Sequence, residues 1–359
     1  MQRFAAILLI FLSISLGAQG LRESAPSRLE FPRELQWSGP TDTLTLFVLG
    51  DVMSHGKVQK SAAEHGYGSF FKYIEDRIQG ADLAVCNMEF PLGGKPYSGY
   101  PVFSGPDDFA QYLSDVGFDV LLTANNHMLD KGGAGLSRTI DRLEKMGIVY
   151  TGIAGSPAAD TLQNPLMVHV GSVSVAIVNC TYGTERGQQT LWPKVHYMNR
   201  EKLLPVMQRA RRADLVLVFP HWGVEYAHFH SPAQEDFARW LISNGADAVI
   251  GGHPHVVQDV QFIDGVPVVY SLGNALSNQN DLPARLEAAL SMKIICRFGE
   301  APRLDGPYFE YLWCTKPGMV EVSYSAVPVT SPAEIWKDPA DYEKMSATLS
   351  SLKKIGIIR

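Results

Sequence analysis

The sequence predicts one α/β domain in which parallel strand–helix units are combined with antiparallel hairpins. Three observations carry this reading. Apolar, β-branched runs alternate with helical patterns and stop at Gly, Asp or Asn, as buried strands do. A chain of 359 residues with 46% hydrophobic composition can bury a large core. And one apolar run after another closes on polar, metal-competent side chains. TLTLFVLGD ends at Asp51, ADLAVCNMEF reaches Asn87 and Glu89, and FDVLLTANNHMLD reaches Asn126, His127 and Asp130. ADLVLVFPHWGVE reaches His221 and Glu225, and ADAVIGGHPH ends in His253 and His255. Ligands of α/β sheets gather beyond the carboxyl ends of the strands, so a single site assembled from five strand ends is expected.

The elements follow in order. Residues 1–20 read as a signal peptide: Arg3 opens a short basic region, AAILLIFLSISL is too short for an ordinary spanning helix, and Leu16 to Gly20 offers small residues for cleavage. An uncleaved anchor is the other reading, and no Cys follows the cleavage point to take a lipid. A periplasmic or extracellular location is expected, with no stable membrane span after cleavage. Residues 21–43, rich in Pro, Ser, Glu and Arg, form a leader. Residues 44–330 make the domain, with its site-bearing core at 44–280, and residues 331–359 form a helical extension packed on it.

Within the domain, Phe70, Phe71, Ile74 and Ile78 give helical spacing over 67–78, before the strand ADLAVCN. DDFAQYLSDVG is a helix closed by Gly117, and LSRTIDRLEKMGI is another, with Leu136, Ile140, Leu143 and Met146 on one side. Residues 166–180 split at Gly171-Ser172 into a hairpin. LLPVMQRARRA and DFARWLISNG are the helices before the strands ADLVLVFPH and ADAVIGG, and Asp264-Gly265 turns a further pair of short strands. Residues 281–330 continue as strands. YEKMSATLSSLKKIG is the terminal helix.

Charge and cysteine usage narrow the function. With 31 basic and 37 acidic side chains the net charge is -6, which gives no electrostatic case for nucleic acid. Cys86 and Cys180 end apolar runs and read as small buried hydrophobes, while Cys296 and Cys314 flank a hairpin region and could pair in an oxidising compartment. The Pro/Gly-rich stretch 91–108 is long enough to be a binding loop or lid, in which Lys95, Tyr97 and Tyr100 could contact substrate; a plain surface loop is the alternative.

Asp51, Glu89, Asn126, His221, His253 and His255 are donors that suit one or two ions of zinc, manganese or iron. Singly, each is more often a cap or a satisfied polar group. As a set they point to a metal centre. His253 and His255 would share a face of an extended segment, with Pro254 favouring that geometry. Asn126 is a neutral oxygen ligand, and Asn87 is an alternative. His127 is the candidate proton donor, with Asp130 one helical turn on to support its imidazolium. Glu225 could orient His221 or receive a substrate amine, and Asn274 could stand at the rim or cap a strand end.

The stretches GDVM at 50–53, NMEF at 87–90, ANNHMLDKG at 124–132, HWGVEY at 221–226, GGHPHVVQ at 251–258 and YSLGN at 270–274 resemble the bacterial capsule synthesis protein CapA family, or poly-gamma-glutamate biosynthesis proteins, of the metallo-dependent phosphatase-like superfamily. The resemblance spans roughly 44–280. It implies a four-layer α/β/β/α sandwich with a metal site between the C-terminal edges of its sheets. It also implies that Asp51 opens the site, that the bridging carboxylate falls at Glu89 or at Asn87, that Asn126 and His127 form the asparagine–histidine pair, and that His221, His253 and His255 complete it. Met53 stands where ordinary phosphatases carry a histidine, and Asn87 is an amide.

Two functions are consistent with this. One is an exported metal-dependent hydrolase acting on a phosphoester or on the amide-type linkage of an anionic surface polymer. The other is a non-hydrolytic polymer-binding or assembly factor that keeps the fold and the metal site, working with capsule assembly machinery.

Overall fold

The computed structural model describes residues 29–30, 41–189, 191–297 and 299–358. The expected signal peptide at 1–20 and most of the leader lie outside them. Within the leader, Leu29–Glu30 pairs in parallel with Leu166–Val170.

Two sheets face each other. In the first, the strands run in the order Ser325–Pro328, Arg303–Thr315, Leu286–Arg297, Thr41–Val52, Leu83–Met88, Val120–Leu122 and Tyr150–Thr151, with Asn274–Leu276 also pairing on Thr41–Val52. The second runs Leu29–Glu30, Leu166–Val170, Val173–Thr181, Leu215–His221, Ala248–Ile250, Val266–Val269 and Val260–Ile263. Each combines parallel and antiparallel pairs: Thr41–Val52, Leu83–Met88, Val120–Leu122 and Tyr150–Thr151 run in parallel, as do Val173–Thr181, Leu215–His221 and Ala248–Ile250. The expected hairpin forms from Leu166–Val170 and Val173–Thr181.

The two-residue period of the strands separates the layers. Along Thr41–Val52, Leu44, Leu46 and Val48 join the apolar cluster between the sheets, whereas Phe47 and Leu49 pack with Phe109, Leu113, Leu136 and Leu143 of the helices outside. In the second sheet Leu215, Leu217 and Phe219 face inward, and Val216 and Val218 meet Met207, Phe237 and Leu241 of the helices on the far side. Helices, sheet, sheet and helices thus form four layers, the sandwich the resemblance implied. The terminal helix Pro339–Lys354 sends Met345 and Leu352 into the cluster between the sheets. Among the described residues, no helix is long and apolar enough to cross a membrane.

One local expectation is corrected, one unforeseen helix is added, and one open pairing is resolved. The helical pattern over 67–78 yields a helix only at Glu75–Gly80. Residues 67–74 form turns held to the sheet edge, where Ala326 N–H donates to Phe70 O and Ser325 Oγ donates to Ser69 O. A helix that the sequence pattern had not suggested, Gly56–His65, precedes them and buries only Val58, Ser61 and Ala62. Cys296 and Cys314 do not form a disulfide. Cys296 faces the cluster between the sheets and Cys314 the helix side, so the sheet separates them.

Candidate metal centre

Parallel register brings the site together. Asp51 pairs with Asn87 across the first sheet, and His221 ends its strand beside Thr181 and bridges to Gly252 in the second. Both rows end at the same edge, so residues far apart in sequence converge there. Asp51, Glu89 and His221 each offer a ligand atom within 4.8 Å of the others, and all three are buried.

The remaining residues close around this group. His221 Nε2 lies 2.9 Å from Asn126 Oδ1 and 3.8 Å from Glu89 Oε1. His255 Nε2 lies 3.8 Å from the same Glu89 oxygen, and His255 Nδ1 is 3.0 Å from Asn274 Oδ1 and 3.4 Å from Asp51 Oδ2. An amide oxygen accepts, so Asn274 holds His255 with Nδ1 protonated and leaves the Nε2 lone pair facing Glu89, the orientation a metal-binding histidine needs. Asn274 is therefore a buried orienting residue. The His253 ring lies 4.9 Å from that of His221, its backbone N–H donates to Asp51 Oδ2 at 3.2 Å, and its buried Nδ1 has no hydrogen-bond partner.

The 253–255 segment departs from the extended geometry expected for it. His253 has φ 98° and His255 φ 60°, both in the left-handed region where L side chains are strained. The turn this makes brings the two rings to 6.0 Å and lets Gly252 pass Asp51 so closely that a Cβ would stand 2.9 Å from its Oδ1. Trp222, buried and bonded through Nε1 to Tyr270 O at 2.9 Å, anchors the chain next to His221.

Electrostatically the cluster could hold a cation. Both oxygens of Glu89 are buried with no hydrogen-bond partner. Burial, then the charge of Asp51, pushes this carboxyl well above its usual range. At Asp51 burial acts in the same upward sense, but the His255 contact, the nearby His221 and the Asn87 amide prevail and hold it below the usual range. Burial, and next the neighbouring His253, keeps His221 well below 6.5; burial, and next His255, brings His253 down to about 3. The neutral imidazoles of His221 and His253 beside Asp51 and the unbonded Glu89 carboxyl are a donor set that could take a divalent ion, whose charge would offset the cost of burying Glu89.

Asn87 is occupied otherwise: its Nδ2 donates to Asp51 Oδ1 at 2.7 Å, and its Oδ1 accepts from Asn125 at 3.2 Å. Met53 is buried. His127 is held by Asp130, with Nδ1 3.0 Å from Oδ2. A cavity of about 410 Å³ opens on Met53, His55, His127, Glu225, Tyr226 and His255. Glu225 is exposed at its rim, with no bond to His221 among the described contacts. In the 91–108 loop, Tyr100 reaches this rim, 6.3 Å from the His127 ring, whereas Lys95 lies over Tyr97 and neither lines the cavity.

Asn179 was not apparent from the sequence. Its Oδ1 accepts from Thr123 N–H and Ala124 N–H, and its Nδ2 donates to Phe219 O at 2.8 Å, which ties the loop carrying Asn126 and His127 to the opposite sheet. A polar residue inside the apolar run VSVAIVNC was the available signal.

Comparison with known proteins fits this geometry. The profile of the family described as bacterial capsule synthesis protein PGA_cap matches residues 45–279. The chain is 29% identical over 245 residues to the PGA biosynthesis protein CapA of Bacillus subtilis, covering 66% of this chain and 64% of that protein. It is 30% identical over 251 residues to the capsule biosynthesis protein CapA of Bacillus anthracis, covering 66% and 61%. The chain thus spans a little under two thirds of each relative. The solved NAD nucleotidase of Haemophilus influenzae superimposes with a TM-score of 0.46 at 11% identity, over 88% of this chain and 57% of that one. The family match covers most of the chain, including all the strand ends that build the site, and the chain is a member of the bacterial capsule synthesis protein family.

Proposed function

We propose that this chain is an exported, metal-dependent hydrolase that acts in the biosynthesis or processing of a capsule or poly-gamma-glutamate-type surface polymer. The observation that carries the reading is Glu89: a buried carboxylate with neither oxygen bonded, facing Asp51 and the imidazoles of His221 and His255. Leaving such a group unpaired is costly, and a divalent cation is the partner its neighbours suit. Asp51, Glu89, Asn126, His221, His253 and His255 would hold one or two ions of manganese, zinc or iron. When bound, the ion supplies Lewis acidity, drawing charge from the scissile group and easing loss of a proton from water.

The protein side chains do the rest. Asn274 and Asn126 orient the imidazoles of His255 and His221. Asp130 holds His127 through Nδ1, so the Nε2 edge is the one left to give a proton to a leaving group. Phe103 packs edge-on against the His127 ring at 4.6 Å and limits water on that side. Tyr100 and Glu225 stand at the entrance, where polymer would arrive. Poly-glutamate pathways enter through the names of the relatives, and so does the expectation of an anionic polymer or its precursor as partner.

A second reading is favoured by two features. The Asn87 amide takes up one oxygen of Asp51, and Met53 replaces a nitrogen ligand with a thioether, which weakens one of two metal positions. A polymer-binding or assembly factor with a single ion fits that donor set. Assay of the metal-replete protein against phosphoesters and gamma-glutamyl peptides separates the two: turnover supports the hydrolase, and tight polymer binding without turnover supports the assembly factor.

A further inference from the structure

His55 was not singled out by the sequence, and the metal-centre reading above does not use it. It follows the Thr41–Val52 strand, four residues after Asp51, and lines the same cavity as His127 and His255. Its Nδ1 lies 3.2 Å from the backbone N of Asn278. A backbone N–H can only donate, so Nδ1 accepts and carries no proton, and the ring proton sits on Nε2. Among the described residues Nε2 has no bonding partner, and it is not among the atoms sealed from solvent. It therefore presents an N–H to the cavity.

The ring is also fixed in place. Phe103 meets it edge-on, with centroids 5.3 Å apart, and the same Phe103 meets His127 edge-on at 4.6 Å. The two imidazoles are thus braced by one aromatic ring but bonded in opposite senses at Nδ1. The carboxylate of Asp130 accepts from His127 Nδ1–H, whereas His55 Nδ1 itself accepts from the Asn278 N–H and leaves its Nε2–H facing outward. Lys57, Asn278 and Gln279 add donors to the same wall, and Glu225 is the one carboxylate on the cavity lining. A donor-rich wall next to a cation centre suits an oxygen-rich, electron-rich group.

We propose that His55 is a substrate-contacting residue whose fixed Nε2–H donates to an oxygen of the phosphoryl or acyl group held at the metal centre. The inference rests on the metal-centre reading above. It assigns His55 to orientation and charge stabilisation, and leaves proton transfer to His127.

The test uses the full chain, manganese and inorganic phosphate as a stand-in for the oxygen-rich group. Mn²⁺ is titrated first, then phosphate is titrated into the Mn²⁺-saturated protein, by calorimetry, for the wild type and for His55→Phe and His55→Gln. All three should bind Mn²⁺ with the same affinity. His55→Phe, which keeps the ring packing but has no donor, should weaken phosphate about 10-fold or more, as loss of a hydrogen bond to a charged group does. His55→Gln, which returns an N–H near the same place, should recover most of that loss. Equal phosphate affinity in the wild type and His55→Phe overturns the proposal, as does absence of phosphate binding to the Mn²⁺-loaded wild type. A wild type that fails to take Mn²⁺ overturns the metal-centre reading itself. A parallel loss in both variants together with lower melting temperatures overturns the donor role in favour of a packing one.

Discussion

Asp130 Oδ2 lies 3.0 Å from His127 Nδ1, and the same oxygen accepts from the Phe103 N–H at 2.7 Å. One buried carboxylate thus sets the tautomer of the proposed proton donor and pins the 91–108 loop against it. Loop position and proton transfer are coupled through that oxygen.

If the protein is a hydrolase, His127→Ala should lower turnover about 100- to 10,000-fold, the usual weight of general acid–base catalysis, with metal content and folding unchanged. His221→Ala should lower both metal content and turnover. Asp130→Asn should fall between the wild type and His127→Ala in rate, and should loosen the loop, detectable as faster proteolysis at 95–102. Metal loss in His127→Ala equal to that in His221→Ala would make His127 a ligand instead.

Glu89→Gln separates the cost of an unpaired buried carboxylate from its use. Without metal, the variant should be at least as stable as the wild type, because the amide carries no charge to bury. With excess Mn²⁺ the wild type should gain stability, about 2.7 kcal/mol at a hundredfold excess over Kd, and the variant should gain much less. Thermal melts with and without Mn²⁺ read both effects.

Asn179→Ala should destabilise the fold by roughly 1–3 kcal/mol, since it removes three buried bonds and leaves the Ala124 N–H without its acceptor, while the Thr123 N–H keeps its bond to Thr151 O. Urea unfolding measures the loss. A change under about 0.5 kcal/mol would mean that water or a shift of the backbone replaces all three bonds.

Asp119 gives a pH signature away from the site. Its carboxylate accepts from Ala84 N–H, and burial raises its pKa to about 6. The folded state then binds the proton more tightly than the unfolded chain, whose value is near 3.8. Its contribution is therefore most favourable below pH 3.8 and is lost as pH rises through about 6. Asp119→Asn should leave stability little changed at pH 4 and raise it by roughly 1–2 kcal/mol at pH 7. Denaturation midpoints at the two pH values check the sign.

Much of the architecture was legible because burial follows local period. The alternation along TLTLFVLG and ADLVLVFPH fixes which side chains face the other sheet, and Gly or Asp marks each strand end. The site was legible for the same reason: Asp51, Glu89, Asn126 and His221 sit where apolar runs stop. What was not legible depends on contacts between distant segments. Nothing in GGHPH reveals that His253 and His255 adopt positive φ, because the turn forms where the His253 N–H meets Asp51, 202 residues away in sequence. Asn179 and His55 act through backbone groups more than fifty and two hundred residues away in sequence, respectively. The turns at 67–74 yield to bonds with the 325–326 edge strand, which overrule the local helical spacing.

The central claim is that Asp51, Glu89 and His221 form a metal centre. Elemental analysis of the full chain, purified without chelator and equilibrated with Mn²⁺, Zn²⁺ and Fe²⁺, tests it most directly. The account predicts roughly one ion or more per wild-type chain and a clear loss in both Glu89→Gln and His221→Ala. A wild type that retains no more metal than these two variants would contradict it.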